Sequence, residues 1–578
     1  IVFGDWSSDV CSSDLKLDLT LPEGLKSRAL GHLDEDQSFE VLFGGPQDPG
    51  FQRSPLPYGY PIQTFERLLD YMDYTGQNLM SYSLARYTWS HLDEGPVNEV
   101  GDGMRVAGWI DLLLELMGKR DKQMLANINI WTLPVQGSSQ AGFEQRVEEG
   151  YYRLDRTGKA PAAAWEEPGL GDNPSHPAVR AAFLRLVEEL LRRYGQYPAF
   201  AGLDLWCEGR TPYLFGSLET GYDDLTVAAF ERETGHKVPF GQAPEDRFEA
   251  RYKYLTGEAR DEWLAWRAEK NIELLRQVDA LIQETRPDLQ LLLTLGGWYD
   301  FSPEFLALSQ AEDFDFSKFA YEHLGLDLTA LKELPSVTLA PMVDGTFYRW
   351  LKHWYGGQES VIGELNHDLS KFNVLRNGER SGVSLYLRYF ESFMESLRQE
   401  TYKGYFQNSD PKAQGRYFLQ DFAVALASQD ASQLLVGAQP LGTTGRDTET
   451  REFAAAYRAL PVGDFQPIEG LSDPVTARFL NTKSGTYLYA VSLLWAPVSA
   501  TVDLPAGSGA VMDLSTGQIV PSESGALHIE LAPFQLRSFH LASVNVKPQA
   551  GQVEIPAATQ EWYRSEEHTS ELQSPNTI

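Results

Sequence analysis

HPAVRAAFLRLVEELLRRYGQYPAFAGLDLWCE, His176 to Glu208, is the stretch that decides the fold. Its first half carries apolar residues at helical spacing (Val179, Phe183, Leu186, Val187, Leu190). Its second half, AFAGLDLWCE (199–208), is a short apolar run of the kind that forms a buried strand and ends on an acid. An amphipathic helix leading into such a strand is the repeating unit of a parallel α/β sheet.

The same alternation extends in both directions. Upstream, strands are predicted at SFEVLFGG (38–45), NLMSYSLAR (78–86) and QMLANINIW (123–131). Downstream they follow at LQLLLTLGGW (289–298), SVTLAPMVD (336–344), GVSLYLRYFE (382–391) and SQLLVGA (432–438). Helical periodicity marks PIQTFERLLDYMDYTG, MRVAGWIDLLLELMGKRD, EWLAWRAEKNIELLRQVDALIQETRP, RYFLQDFAVALASQD and TETREFAAAYRALP, and only a short helix, Leu328 to Leu334, precedes the sixth strand. Eight such units predict a (β/α)8 TIM barrel over 38–462 with long loops after several strands. An open doubly wound sheet would carry a Gly-rich phosphate turn after its first strand, and Gly44-Gly45-Pro46 does not make one.

Beyond Pro461 the pattern changes to alternating strands separated by Gly/Ser/Asp turns, as in TARFLNTKSGTYLYAVSLLW and ALHIELAPFQLRSFHLAS. This predicts a small antiparallel β-sandwich over 465–543, followed by a Pro/Gln-rich linker or tail at 544–563. Ahead of the barrel, 16–37 reads as the remnant of an upstream β-domain or as a strand capping the barrel. DWSSDVCSSDL (5–15) and RSEEHTSELQS (564–574) look like translations of a common sequencing adapter read from its two strands. Residues 1–15 and 564–578 are therefore set aside as artefact. The sequence reads as a bacterial, metagenomic gene fragment whose native amino terminus is expected to be missing. A secreted or periplasmic setting is favoured.

The net charge is −32, and −27 once the three Asp of the first stretch and the one Arg and three Glu of the second are removed. So acidic a chain argues against nucleic acid and anionic membranes as partners and fits a neutral carbohydrate. No apolar run has the length of a membrane span. Of two cysteines only Cys207 lies outside the adapter stretches, which excludes a disulfide framework and a Cys-based zinc site. The histidines are scattered, His353 and His367 included. No serine-hydrolase elbow, phosphate loop or His–Glu zinc motif is present, so neither a metal nor another cofactor is expected.

A barrel carries its reactive groups at the carboxyl ends of its strands, and glycosidic hydrolysis needs two carboxyl groups there. Glu208 closes the fourth predicted strand, Asp344 the sixth and Glu391 the seventh, while Asp300 follows the fifth. The fourth and seventh strand ends are where clan A glycoside hydrolases carry the acid/base and the nucleophile, and the chain resembles that clan there. NPSHPAVRAAFLRLVEELLRRYGQYPAFAGLDL is similar to the helix-to-fourth-strand segment of family 42-like and family 10-like barrels. YDDLTVAAFERETGHKVP resembles the segment after the acid/base in bacterial relatives, and VMDLSTGQIV with LAPFQLRSFHL resembles their C-terminal β-domain.

The resemblance implies a retaining glycosidase acting on an oligo- or polysaccharide, with Glu208 as acid/base and Glu391 as nucleophile. Glu208 beside Trp206 would be partly desolvated and hold its proton; Glu391, flanked by Arg388 and Tyr389, would stay ionised. One position departs from the clan, which usually places a sugar-binding Asn just before the acid/base; here it is Cys207, leaving Asn129 or Arg210 to supply that contact. Trp131 and Trp298 are candidate sugar platforms, and Tyr87, Trp89 and His91 a rim of the cleft. Glu364, in ESVIGEL, is a reserve nucleophile should that segment displace the seventh strand. A catalytically inactive carbohydrate-binding or scaffold barrel, or a sugar-active lyase or isomerase, stays open beside the hydrolase.

Overall fold

Eight parallel strands close on themselves. They are β1 (Ala29–Asp34), β2 (Leu79–Tyr87), β3 (Gln123–Ile130), β4 (Phe200–Cys207), β5 (Gln290–Leu295), β6 (Val337–Asp344), β7 (Gly382–Tyr386) and β8 (Gln433–Gly437). Each pairs with the next, and β1 pairs with both β2, through Gly31 and Leu79, and β8, through Gly31 and Leu435. This is a TIM barrel. The computed structural model describes residues 17, 21–34, 61–87, 89–90, 109–130, 133, 143–160, 172–207, 211–215, 218–241, 243, 246–295, 315–344, 369–386, 415–437, 447–471, 473–523 and 525–561.

The first strand corrects the sequence reading. It is ALGHLD at 29–34, not SFEVLFGG at 38–45, which lies outside the described residues. The barrel thus begins ahead of the expected boundary at 38, inside the segment read as a remnant or cap. The reason is steric. A Cβ on Gly31 would stand 2.2 Å from the Leu79 carbonyl oxygen, so the closing seam needs glycine where a strand usually carries a branched residue. The seventh strand is Gly382–Tyr386, paired on both sides, so ESVIGEL does not displace it.

Helices cover the outside of the barrel. Pro177–Tyr194 starts with proline in its first turn and His176 accepting from the Ala178 N–H; it turns Val179, Phe183, Leu186, Val187, Leu190 and Leu191 inward. Arg260–Thr285 precedes β5, and Gln420–Gln429 precedes β8. Phe316–Leu324 was not foreseen, although Asp315 caps Ser317 and Lys318 and Gly325 ends it at φ 63°. Apolar residues fill two layers, one between strands and helices and a smaller one inside the barrel, made by Leu79, Leu125, Ala201, Trp206, Leu292, Ala340, Met342 and Leu435.

The C-terminal region packs a six-stranded antiparallel sheet against a four-stranded one, with a core of its own. The expected tail contributes a strand: Gln549–Glu554 pairs antiparallel with Val498–Asp503 at the sheet edge. The sandwich also shares the barrel's core through Tyr487, Tyr489, Val491, Phe534 and Leu536. At this junction Arg28, fully buried, donates to Asp430 at 2.9 Å and to the Ala431 carbonyl at 3.3 Å. Its guanidinium lies over the rings of Phe465, Tyr489 and Tyr457, and the Tyr489 hydroxyl donates to the same Asp430 oxygen at 2.8 Å.

Candidate functional site

Strand β4 sorts its side chains by parity. Leu203, Leu205 and Cys207 face the helices, whereas Asp204 and Trp206 face the barrel interior. Cys207 is fully buried and its thiol is pushed up by burial and then by the Asp204 charge. It therefore does not occupy the sugar-facing position suggested by its place before Glu208.

Asp204 sits at the centre of a polar network unusual for a barrel interior. Ser81 of β2 donates to its Oδ2 at 2.5 Å, Asn127 of β3 to the same oxygen at 2.9 Å, and Thr294 of β5 to Oδ1 at 2.7 Å. Four neighbouring strands are thereby tied through one carboxyl group. Burial pushes that group up, against the pull of its three donors.

Above this tie, toward the carboxyl ends of the strands, the walls become less satisfied. Asn127 uses both ends of its amide, since Ser83 donates to its Oδ1 at 3.1 Å. Asn129, the next residue on the same face, is 2 % exposed and its Oδ1 has no hydrogen-bond partner among the described residues. Ser384, paired with Met342 and Leu435 on the interior wall, likewise has a buried Oγ without a partner among the described residues. Between β2 and β3 the register slips by one residue at Ser83–Ala85, and Leu84 and Ala85 both turn to the outer core. Such bulges re-aim side chains at the rims of barrels.

The loops after β3 and β4 build one wall. Tyr213 stacks on Phe183 at 4.6 Å, and its hydroxyl donates to the carbonyls of Trp206 and of Ile128, the latter at 3.2 Å. It so crosses the ends of β4 and β3 and pins the chain three residues beyond the 208–210 segment. Farther out, Leu154, Phe215, Tyr222, Phe230, Phe248, Trp263 and Trp266 form a separate core. Asp172 joins this wall to the end of β3, accepting from the Leu133 N–H at 2.6 Å with Arg146 3.8 Å away. Burial pushes its carboxyl up to about 7 despite that bond and the nearby Arg146 and Arg153 charges.

No protein-family model and no curated protein matches the chain. Similar solved structures include an alpha-amylase from Anoxybacillus, 12% identical, covering 91% of this chain and 98% of that one at a TM-score of 0.41. A GH42 beta-galactosidase from G. stearothermophilus is 10% identical over 89% and 98% of the two chains, at 0.43. The PgaB (BpsB) glycoside hydrolase domain from Bordetella bronchiseptica is 12% identical over 74% and 98%, at 0.42. Likenesses this distant assign no activity to the chain.

Of the expected site residues, Asn129 and Trp206 are brought together on the inner wall, Trp206 within the internal packing at 1 % exposure. Glu208, Arg210, Trp131, Trp298, Tyr389, Glu391 and Glu364 lie outside the described residues, as do Arg388, Asp300, His91, His353 and His367. Tyr87 ends β2, Trp89 lies in a two-residue antiparallel return to it, and Asp344 ends β6; their side chains are outside the description. Among the described residues no group of three or more His, Cys, Asp or Glu is placed to hold a metal, and no helix is long and apolar enough to cross a membrane. The Asp204 tie escaped the sequence reading, which sought acids only at strand ends. An aspartate inside the apolar run AGLDLW was the available signal, because a buried acid demands partners.

Proposed function

We propose that this protein is a retaining glycoside hydrolase that cleaves O-glycosidic bonds of an oligo- or polysaccharide, with Glu208 as acid/base and Glu391 as nucleophile. The observation that carries the reading is the end of β4. Asp204 and Trp206 are interior and Cys207, the last residue of the strand, is exterior; strand alternation would give the inward position to Glu208, which follows it in sequence. Glu391 follows the described end of β7 by five residues in sequence, and β7 stands three strands from β4 around the ring. The chain's acidity favours a neutral glycan. Trp131, Trp298, Tyr389, Tyr87, Trp89 and Arg210 complete the proposed substrate contacts.

In this reading Glu208 protonates the leaving oxygen while Glu391 attacks the anomeric carbon, and water then releases the sugar with Glu208 acting as base. Retention requires the carboxyl groups about 5–5.5 Å apart. The test is turnover of a panel of aryl glycosides by wild type, Glu208→Gln and Glu391→Gln. Each variant is expected to lose about 10²–10⁴-fold, and azide is expected to rescue Glu391→Gly as a glycosyl azide of inverted configuration. Near wild-type turnover by both Gln variants would remove the proposed pair. Sugar binding without any turnover would point to the inactive carbohydrate-binding barrel instead.

A further inference from the structure

We infer that Tyr213 is a positioning residue for the acid step: its hydroxyl holds the exit of β4, which Glu208 follows in sequence, against the exit of β3. The inference rests on the glycosidase reading of Glu208 and adds the residue through which that carboxyl group is set.

The need for such a residue comes from the strand ladder. β3 is paired with β2 up to Ile130, and β4 is paired with β5 up to Cys207. Between β3 and β4 the pairing stops earlier, at Ile128 and Leu205. The two strands thus part before they end, at the level where Trp206 and Cys207 lead, in sequence, into Glu208. There the hydroxyl of Tyr213 takes over, donating to the Ile128 carbonyl at 3.2 Å and to the Trp206 carbonyl. One side chain does across this gap what backbone hydrogen bonds do lower down. In sequence the link from 213 to 206 brackets Glu208, five residues before the tyrosine and two after the tryptophan.

A tether works only if its anchor is fixed, and this anchor is fixed at unusual cost. The ring of Tyr213 is buried and stacks on Phe183 of the helix Pro177–Tyr194 at 4.6 Å. The two residues after it lie outside helix and strand, and side chains meet their backbone groups instead. Arg153 donates to the Leu214 carbonyl at 3.1 Å and Arg267 to the Phe215 carbonyl at 3.0 Å. The Phe215 N–H donates to Asn271 Oδ1 at 3.1 Å, and the Asn271 amide donates in turn to the Gly325 carbonyl at 2.8 Å. Both guanidiniums are fully buried. Burial pulls each down to about 10, and the Arg267 charge further disfavours that of Arg153. Neutral donors would hold two carbonyls without desolvating two like charges. Such a cost is understandable where placement to within an ångström governs a rate.

The chemistry that Tyr213 governs follows from what Glu208 does. As the anomeric C–O bond breaks, the Glu208 carboxyl gives its proton to the departing oxygen. An alkoxide leaving group depends on that proton, whereas a dinitrophenolate is already a stable anion and leaves without it. A displaced acid therefore slows cleavage of alkyl glycosides and hardly touches dinitrophenyl glycosides. A loss of folded protein lowers both alike.

The experiment measures kcat/KM, which reports this first step, for wild type, Tyr213→Phe and Glu208→Gln on the alkyl and the dinitrophenyl glycoside of one accepted sugar. Tyr213→Phe is expected to lose about ten- to hundredfold on the alkyl glycoside and less than about threefold on the dinitrophenyl glycoside. Glu208→Gln should show the same bias in larger measure. Equal losses by Tyr213→Phe on the two substrates, or no loss on either, would overturn the positioning role, while the bias of Glu208→Gln keeps the glycosidase reading standing. Should Tyr213→Phe not fold, Phe183→Leu loosens the ring and keeps the hydroxyl; it is expected to show the same bias at about three- to tenfold, and its absence overturns the role. A wild type that hydrolyses neither glycoside, or a Glu208→Gln without bias, removes the acid reading and the positioning role together.

Discussion

At the amino-terminal end of the barrel Asp430 accepts from Arg28 and Tyr489, with Arg376 3.5 Å away. Among the described residues Asp204, within the barrel, meets two hydroxyls and one amide, and toward the mouth Asp172 has one backbone N–H and an arginine at 3.8 Å. All three carboxyl groups are buried, but only the first has an arginine in direct hydrogen-bond contact among the described residues. The contrast separates a region optimised to hold together from one in which stability has been given up. Stored cost of this kind gathers where a protein acts rather than where it is merely supported.

The sharpest way to break that comparison is at its paired end. Arg28→Met strands Asp430 in a ring of aromatic residues and is expected to cost about 3–5 kcal/mol in urea unfolding, while turnover per folded molecule stays near wild type. A cost below about 1 kcal/mol would mean that the junction is no better satisfied than the mouth.

Next in size is the pH response of the mouth. Asp172 titrates near 7 in the folded chain and near its ordinary value, about 4, when unfolded, so between those values the native state binds the extra proton. Stability from this group is present at low pH and is lost as pH rises toward 7. Against Asp172→Asn, which carries no such charge, wild type should fall by roughly 3 kcal/mol between about pH 4 and 7. Parallel stability curves for the two proteins would place the charge of Asp172 in better company than its neighbours suggest.

The smallest effect sharpens the comparison within one strand. Asn127→Ala removes a donor from Asp204 and an acceptor from Ser83, and is expected to destabilise by about 1–3 kcal/mol. Asn129→Ala removes no side-chain hydrogen bond at Oδ1 among the described residues and should leave the melting temperature nearly unchanged. Equal losses in the two variants would show that the wall is uniformly structural.

Seven of the eight barrel strands were legible, because apolar runs between amphipathic helices are local signals. The first was not, for a reason peculiar to its place. Closure brings β1 so near β2 that Gly31 replaces a side chain, and His32 follows it, leaving ALGHLD with a weaker pattern than the SFEVLFGG that follows. The edge strand QAGQVE reads as a tail because both its faces are largely solvated. Inside the barrel the tie around Asp204 was not legible, since it joins Ser81 to Asp204, 123 residues apart, and Asp204 to Thr294, 90 apart. Nothing local announces such partners.

Arg28 has one more consequence. It precedes the first strand, bonds to the turn before the last, and stacks on Tyr489 of the sandwich, so the seam where the barrel closes and the surface where the sandwich docks are the same contact. The C-terminal region is accordingly not a detachable module that could be swapped among barrels like an appended binding domain. It serves as the clasp on the ring: a barrel cut free of it would expose its own closing joint to water.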